Sequence, residues 1–343
     1  GTDGSRSDVF AHFEKFPEWT YEPEEYLGTV AISADGEYIV AGGAHNDLPV
    51  VYLFDKDSST PLWSYDAGDK VRSVAISADG EYIVASSNSD KVYLFDKDSS
   101  TPLWSYTTGN NVRSVAVSVD GKHIVAGSHN NKVYFFDKES STPLWSYTAG
   151  DYVSRVTISA DGEYIAANSV DDKLYLFNKD SGTPLWSYDT GEQVWGLAIS
   201  ADGEYIATGS QDDNVYLFDK DSSTPLWSYN TGDGVVSVSI SADGKYISAG
   251  SGDHSVYTFK NPLTDRPSIF AYGPRSGSEP TEPVTLRWFA GSDDRSNLTF
   301  DVYFGNTSAE AWAMDTNLSG AASSFWGENT NDRSGWSVSG VGD

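Results

Sequence analysis

Cysteine is absent from the 343 residues, and methionine occurs once. Without thiols there is no disulfide, no thiolate nucleophile and no cysteine-ligated metal, and the redox compartment stays open. The sequence also has no apolar run of the roughly twenty residues that a membrane-spanning helix needs, so membrane insertion is not expected. The start, Gly1-Thr2-Asp3-Gly4, carries no charged-then-apolar stretch of the kind a targeting segment needs. Basic residues are scarce: 22 Lys and Arg stand against 50 Asp and Glu, a net charge of −28. Such a field repels nucleic acid and anionic lipid, and neither is expected as a partner. The charge serves either solubility, as in salty surroundings, or the binding of a cation or a basic partner.

What is abundant is repetition. The phrase S-x-D-G-[EK]-[YH]-I begins at Ser33, Ser77, Ser118, Ser159, Ser200 and Ser241. A second phrase, P-x-W-[ST]-Y, keeps step with it and places Trp19, Trp63, Trp104, Trp145, Trp186 and Trp227 ahead of each unit. A fixed period near 41 residues with strand-like content predicts an all-β fold, a β-propeller with one blade per repeat. In the second unit the runs Val71 to Ser77, Glu81 to Ser87, Lys91 to Lys97 and Thr101 to Tyr106 are short, rich in β-branched or aromatic residues and bounded by turn residues. Asp79-Gly80 predicts a tight hairpin between the first two runs. Pro102 lacks a backbone N–H, which assigns the T-P-L-W-S-Y run to the outer edge of the blade and makes its Trp a packing anchor.

Six blades are favoured, with the first Trp strand, Pro17 to Tyr21, completing the sheet that begins at Val235. Seven is the alternative, because Pro267 to Tyr272 resembles a degenerate outer strand with Phe270 in the Trp place, and Val9 to Phe13 a remnant of another strand. The domain reading is a propeller over 1–260, a linker rich in Pro, Gly, Ser and charge over 261–282, and a further β module over 283–343. In that module Pro283 to Ala290 and Leu298 to Gly305 alternate as strands, with Trp288 and Tyr303 as core aromatics. They resemble the B and C strands of fibronectin type III or immunoglobulin-like sandwiches, in a segment short for a full one. Asn297, Asn306 and Asn317 each head a glycosylation sequon there, which points to an extracellular or cell-surface setting.

The stretch Ser200 to Lys220 resembles the WD repeat, with Phe218-Asp219 in the place of Trp-Asp; the Gly-His dipeptide of that family is missing from every unit. The other half of each unit resembles the tryptophan-docking repeat of quinoprotein (PQQ-like) propellers. Trp63, Trp104, Trp145, Trp186 and Trp227 are each followed five residues later by Gly, while Trp19 has Glu24 there. That resemblance implies the fold. No cofactor is expected: the adjacent cysteines of many quinoprotein dehydrogenases cannot exist here, and no acid, Asn and Asp set for a quinone-bound calcium stands out.

The first-to-second and third-to-fourth turns scarcely change between units, whereas the other two loop sets vary, and in a propeller those variable loops share one face. A binding rim or relaxed drift would each give that pattern. On the rim, Arg72, Arg113, Arg155 and Trp195 are candidate ligand-binding residues, since Arg grips carboxylate or sulfate and Trp stacks on a ring; the arginines could equally pair with neighbouring acids. His45, Asp47, Asp253 and His254 form a candidate metal site, if blades one and six are neighbours; His129 belongs to the same loop class. The functional expectation is an extracellular or cell-surface binding or scaffold propeller that recognises a protein or glycan through this face. The alternative is a quinoprotein-like oxidoreductase or glycan-cleaving propeller enzyme; no catalytic pair is singled out.

Overall fold

The computed structural model describes residues 17–23, 26–43 and 50–264, and the backbone of 284–287 and 299–302. The chain divides into two units, Gly1–Asn261 and Pro262–Asp343. In the first, six antiparallel sheets follow one another along the sequence. Sheet 1 contains β1 (Leu27–Ile32), β2 (Tyr38–Gly43), β3 (Val50–Asp55) and β4 (Trp63–Asp66); sheet 2 contains β5 (Val71–Ile76), β6 (Tyr82–Ser87), β7 (Lys91–Asp96) and β8 (Trp104–Thr107). Sheet 3 contains β9 (Val112–Val117), β10 (His123–Ser128), β11 (Lys132–Asp137) and β12 (Trp145–Thr148); sheet 4 contains β13 (Val153–Ile158), β14 (Tyr164–Ser169), β15 (Lys173–Asn178) and β16 (Trp186–Asp189). Sheet 5 contains β17 (Val194–Ile199), β18 (Tyr205–Ser210), β19 (Asn214–Asp219) and β20 (Trp227–Asn230), and sheet 6 contains β21 (Val235–Ile240), β22 (Tyr246–Ser251) and β23 (Val256–Lys260). Strand order within each sheet follows sequence order, the radial meander of a propeller blade. In the second unit, β24 (Val284–Arg287) pairs antiparallel with β25 (Thr299–Val302).

Each outer-strand tryptophan docks on the sheet that follows its own. The Trp63 ring lies 5.2 Å from Phe95 and its indole N–H donates to the Lys97 carbonyl at 2.7 Å. Trp104, Trp145 and Trp186 repeat the arrangement on Phe136, Phe177 and Phe218, with Lys138, Lys179 and Lys220 as acceptors. The Phe of the Phe-Asp dipeptide therefore receives the indole, and the aspartate caps the turn, as where Asp96 accepts the Asp98 N–H. The central strands between these anchors are apolar on both faces, which suits a sheet sandwiched between two others.

The repeated S-x-D-G turn has three jobs. In the second unit the Ser77 hydroxyl donates to Asp79 and accepts the Tyr82 N–H, and Gly80 takes φ 73°. The second residue of the turn joins blades: Ala34 N–H donates to Ala78 O, Ala78 to Val119, Val119 to Ala160, Ala160 to Ala201 and Ala201 to Ala242. The turn glycine also makes room for a neighbour, since a Cβ on Gly80 would strike the Tyr38 ring of the preceding sheet at 2.4 Å. The third-to-fourth turn sits at the same end, tied by Lys97 N–H to Glu81 O. All ten ion pairs among the described residues are lysine–carboxylate pairs on these turns. One pronounced shift follows: burial opposes ionisation of Asp120, but Lys122 and Ser118 outweigh it and hold the carboxyl at about 2.

Trp19 docks on sheet 1 in the expected manner, stacked on Phe54 and bonded to the Lys56 carbonyl at 2.6 Å. The expectation that its strand also completes the sixth sheet is not met: sheet 6 has three strands among the described residues. Among the described residues its flank is uncovered, and so is that of sheet 1. Val30 is 70% exposed where its equivalents Val74 and Val156 are 7%, and Val256 is 80% exposed where Val92 and Val133 are fully buried. A Cβ on Gly42 or Gly127 would collide with a valine of the following sheet, whereas one on Gly250 would meet nothing. The segments Val9 to Phe13 and Pro267 to Tyr272, the sequons, Trp288 and Tyr303 lie outside the described residues.

Trp145 is held on both sides, 5.0 Å from Phe135 and 5.3 Å from Phe177. Trp145→Ala is expected to cost about 3 to 5 kcal/mol, because the void sits between two sheets that cannot collapse together, and a urea titration reads the loss directly.

Candidate binding face

The opposite end of sheets 2 to 6 carries variable loops whose backbone is as regular as that of the invariant end. In sheets 2 to 6 the hydroxyl that closes the second strand donates to the carbonyl of an incoming loop: Ser87 to Asp69 at 2.6 Å, Ser128 to Asn110 at 3.0 Å, Ser169 to Asp151 at 2.9 Å, Ser210 to Glu192 at 3.1 Å and Ser251 to Asp233 at 2.9 Å. One residue further along, Lys70, Asn111, Tyr152, Gln193 and Gly234 each accept a backbone N–H from the second-to-third turn. That turn takes φ between 66° and 71° at Asp90, Asn131, Asp172, Asp213 and His254. Side chains are exchanged from unit to unit while the bonds that shape the loops stay.

The innermost strands add a second regularity. In β5, Val71 faces Ser87 and Ser73 faces Ser86, so Arg72 is an extra residue with no partner position. The same bulge falls at Gly28, Arg113, Ser154, Trp195 and Val236 in the other five. A bulge swings its extra side chain out of the pleat. Here it presents five different residue types at six equivalent places on one end of the propeller.

The structure sorts the sequence candidates accordingly. Arg72 and Arg113 occupy the bulge position on neighbouring innermost strands. Arg72 Nε donates to Asn88 Oδ1 at 2.8 Å, and burial together with the Arg113 charge lowers its pKa. His129, grouped by sequence with His45 and His254, stands with these arginines: burial first, then Arg113 and Arg72, depress its pKa. Its ring lies 4.4 Å from Tyr152, and its Nε2 is buried without a hydrogen-bond partner. Arg155 is set apart, one residue past the bulge, in register with Asn168 and exposed. Trp195 is on the bulge, with its indole N–H 3.4 Å from Gln193 Oε1 and its ring against Gly234.

For the metal candidates, His45 and Asp47 lie outside the described residues. The Asp253 carboxylate accepts the Tyr257 hydroxyl at 2.5 Å and the Ser255 N–H at 2.9 Å, bonds that lower its pKa, and His254 is the positive-φ residue of that turn. No group of three or more metal-ligating side chains comes together among the described residues.

Two overlapping stretches, residues 47–193 and 154–278, match the repeat family described as "Outer membrane protein assembly factor BamB". They take in more than half of the sequence, and the chain belongs to that family of tryptophan-docking propeller repeats. No curated protein matches it. Among solved structures, a chain of the "Crystal Structure of Mitotic Checkpoint Complex" is similar in fold, with a TM-score of 0.59 at 20% identity, over 70% of this chain and 78% of that one.

Acids at the second-to-third turn hold the rim in shape. Asp171 accepts the Tyr175 hydroxyl at 2.5 Å and the Gly150 N–H of the incoming loop at 2.7 Å, and burial followed by this bond pushes the Tyr175 hydroxyl well above its ordinary pKa. Asp171→Ala orphans both donors, and a loss of about 1 to 3 kcal/mol is expected in chemical denaturation, with faster amide exchange confined to the 148–152 loop.

Proposed function

We propose that this propeller is a non-enzymatic binding or scaffold protein that recognises a protein or glycan partner through its variable-loop face, at the cell surface or outside the cell. The observation that carries the reading is the fixed loop framework with exchanged side chains, capped by bulge residues that differ from blade to blade. A rigid frame presenting varied side chains limits the ordering cost of binding. Trp195 and the arginines supply the residue types that dominate binding energetics at such faces. The charge distribution agrees: among the described residues the ion pairs lie on the invariant end, leaving Arg72, Arg113, Arg155 and the rim lysines outside any ion pair.

Membership of a family described by an outer-membrane assembly factor fits a role in protein assembly at a cell envelope. Among the described residues no helix is long and apolar enough to cross a membrane. The module that begins near 283 is read as a spacer or adhesion element of sandwich type. The metal reading of His45, Asp47, Asp253 and His254 is the weaker proposal, since the Asp253 carboxylate is already engaged by Tyr257 and Ser255.

The test is affinity capture from the envelope and extracellular fractions of the source cells, followed by direct titration of the recovered partner and, in parallel, a glycan array. Trp195→Ala with Arg113→Ala is expected to weaken binding at least tenfold with the melting temperature nearly unchanged. Undiminished binding by the double variant would move the site off this face.

A further inference from the structure

We propose that Arg72 and Arg113, with His129 beside them, form a site for a single oxyanion, the carboxylate, phosphate or sulfate group of a ligand bound at the variable-loop face. The inference rests on the reading of that face as the binding face and adds what it recognises in the sector of sheets 2 and 3.

Both arginines are the extra residues of bulges in β5 and β9, which are adjacent innermost strands, so the same local irregularity places two arginines at equivalent positions on neighbouring strands, near enough for the charge of Arg113 to act on Arg72. Asn88 Oδ1 takes the Nε of Arg72, which fixes the plane of that guanidinium and leaves its terminal nitrogens for an incoming group. Neither arginine belongs to an ion pair among the described residues, although the sequence holds 50 acidic residues and the lysines at the other end are paired. Acids stand in the neighbouring loops, and Asp69 and Asp151 are close enough to act on Arg72 and His129 respectively, without closing a salt bridge.

Such an arrangement is incomplete by itself. Two like charges held together repel, and here each is partly removed from water; an oxyanion placed between them converts that repulsion into two attractions with matching fork geometry. The buried Nε2 of His129, without a partner, is a further polar atom at the same place. The surrounding field of −28 repels bulk anions, so only a group engaged by both arginines gains enough to stay. Tyr152, 4.4 Å from the His129 ring, borders the site and offers an aromatic surface to whatever carries the anion.

The experiment titrates the intact protein with inorganic sulfate, inorganic phosphate and acetate at constant ionic strength set with chloride, reading the melting temperature and the heat of binding. Wild type is expected to gain stability with at least one oxyanion over chloride; preference for sulfate and phosphate, or for acetate, tells tetrahedral groups from carboxylates. Arg72→Gln and Arg113→Gln are each expected to weaken that response about tenfold or more, while Lys173→Gln, a charge loss of the same size on the same end, leaves it unchanged. In chloride alone Arg72→Gln should melt no lower than wild type, which separates loss of the site from loss of the fold. Equal stability in all anions, or an equal loss in Lys173→Gln, overturns the proposal. Because the probes are small free anions, that outcome leaves partner binding by Trp195 to be decided by its own titration.

Discussion

The docking of one indole per repeat on the next sheet is the contact on which the rest of the propeller depends. It covers a phenylalanine, closes the indole N–H on a backbone carbonyl and fixes the distance between successive sheets. Once that distance is set, the alanine or valine of the S-x-D-G turn can reach the carbonyl of its equivalent in the next blade, and the turn glycine is required by its positive φ and, at Gly80, Gly121, Gly203 and Gly244, by a tyrosine ring that fills the space. The invariance of one end of the molecule is therefore a packing requirement.

That requirement leaves the other end free to differ. Its loops owe their shape to hydroxyls at the ends of second strands and to acids or amides in the following turn, neither of which dictates the side chains displayed between them. A propeller built this way separates the residues that hold it together from those that vary from blade to blade. A basic sector over sheets 2 and 3 and an aromatic one at Trp195 then coexist on a frame whose net charge is strongly negative.

Most of the fold was legible from residue spacing. The period placed all six sheets of the first unit, Asp79-Gly80 and its equivalents placed the hairpins, and Pro102 placed the outer strand, because each position reports a backbone constraint that only certain residues satisfy. The bulges were not legible. An extra residue occupied by Gly, Arg, Arg, Ser, Trp or Val leaves no compositional mark, so Arg155 read like Arg72 and Arg113 although it sits one step away in the ladder. The pairing of His129 with the arginines was hidden for a related reason, since it arises between a loop and strands of different blades. Closure was misjudged because sequence showed that Trp19 fits the docking site on sheet 1 but could not show whether the same strand reaches β23.

Amide hydrogen exchange tests the account most directly. If the blades are knit at the invariant end as described, the N–H groups of Ala78, Val119, Ala160 and Ala201, which lie in turns, exchange as slowly as those of the buried central strands β7, β11 and β15. Exchange at the rate of the exposed hairpin tips around them would contradict it.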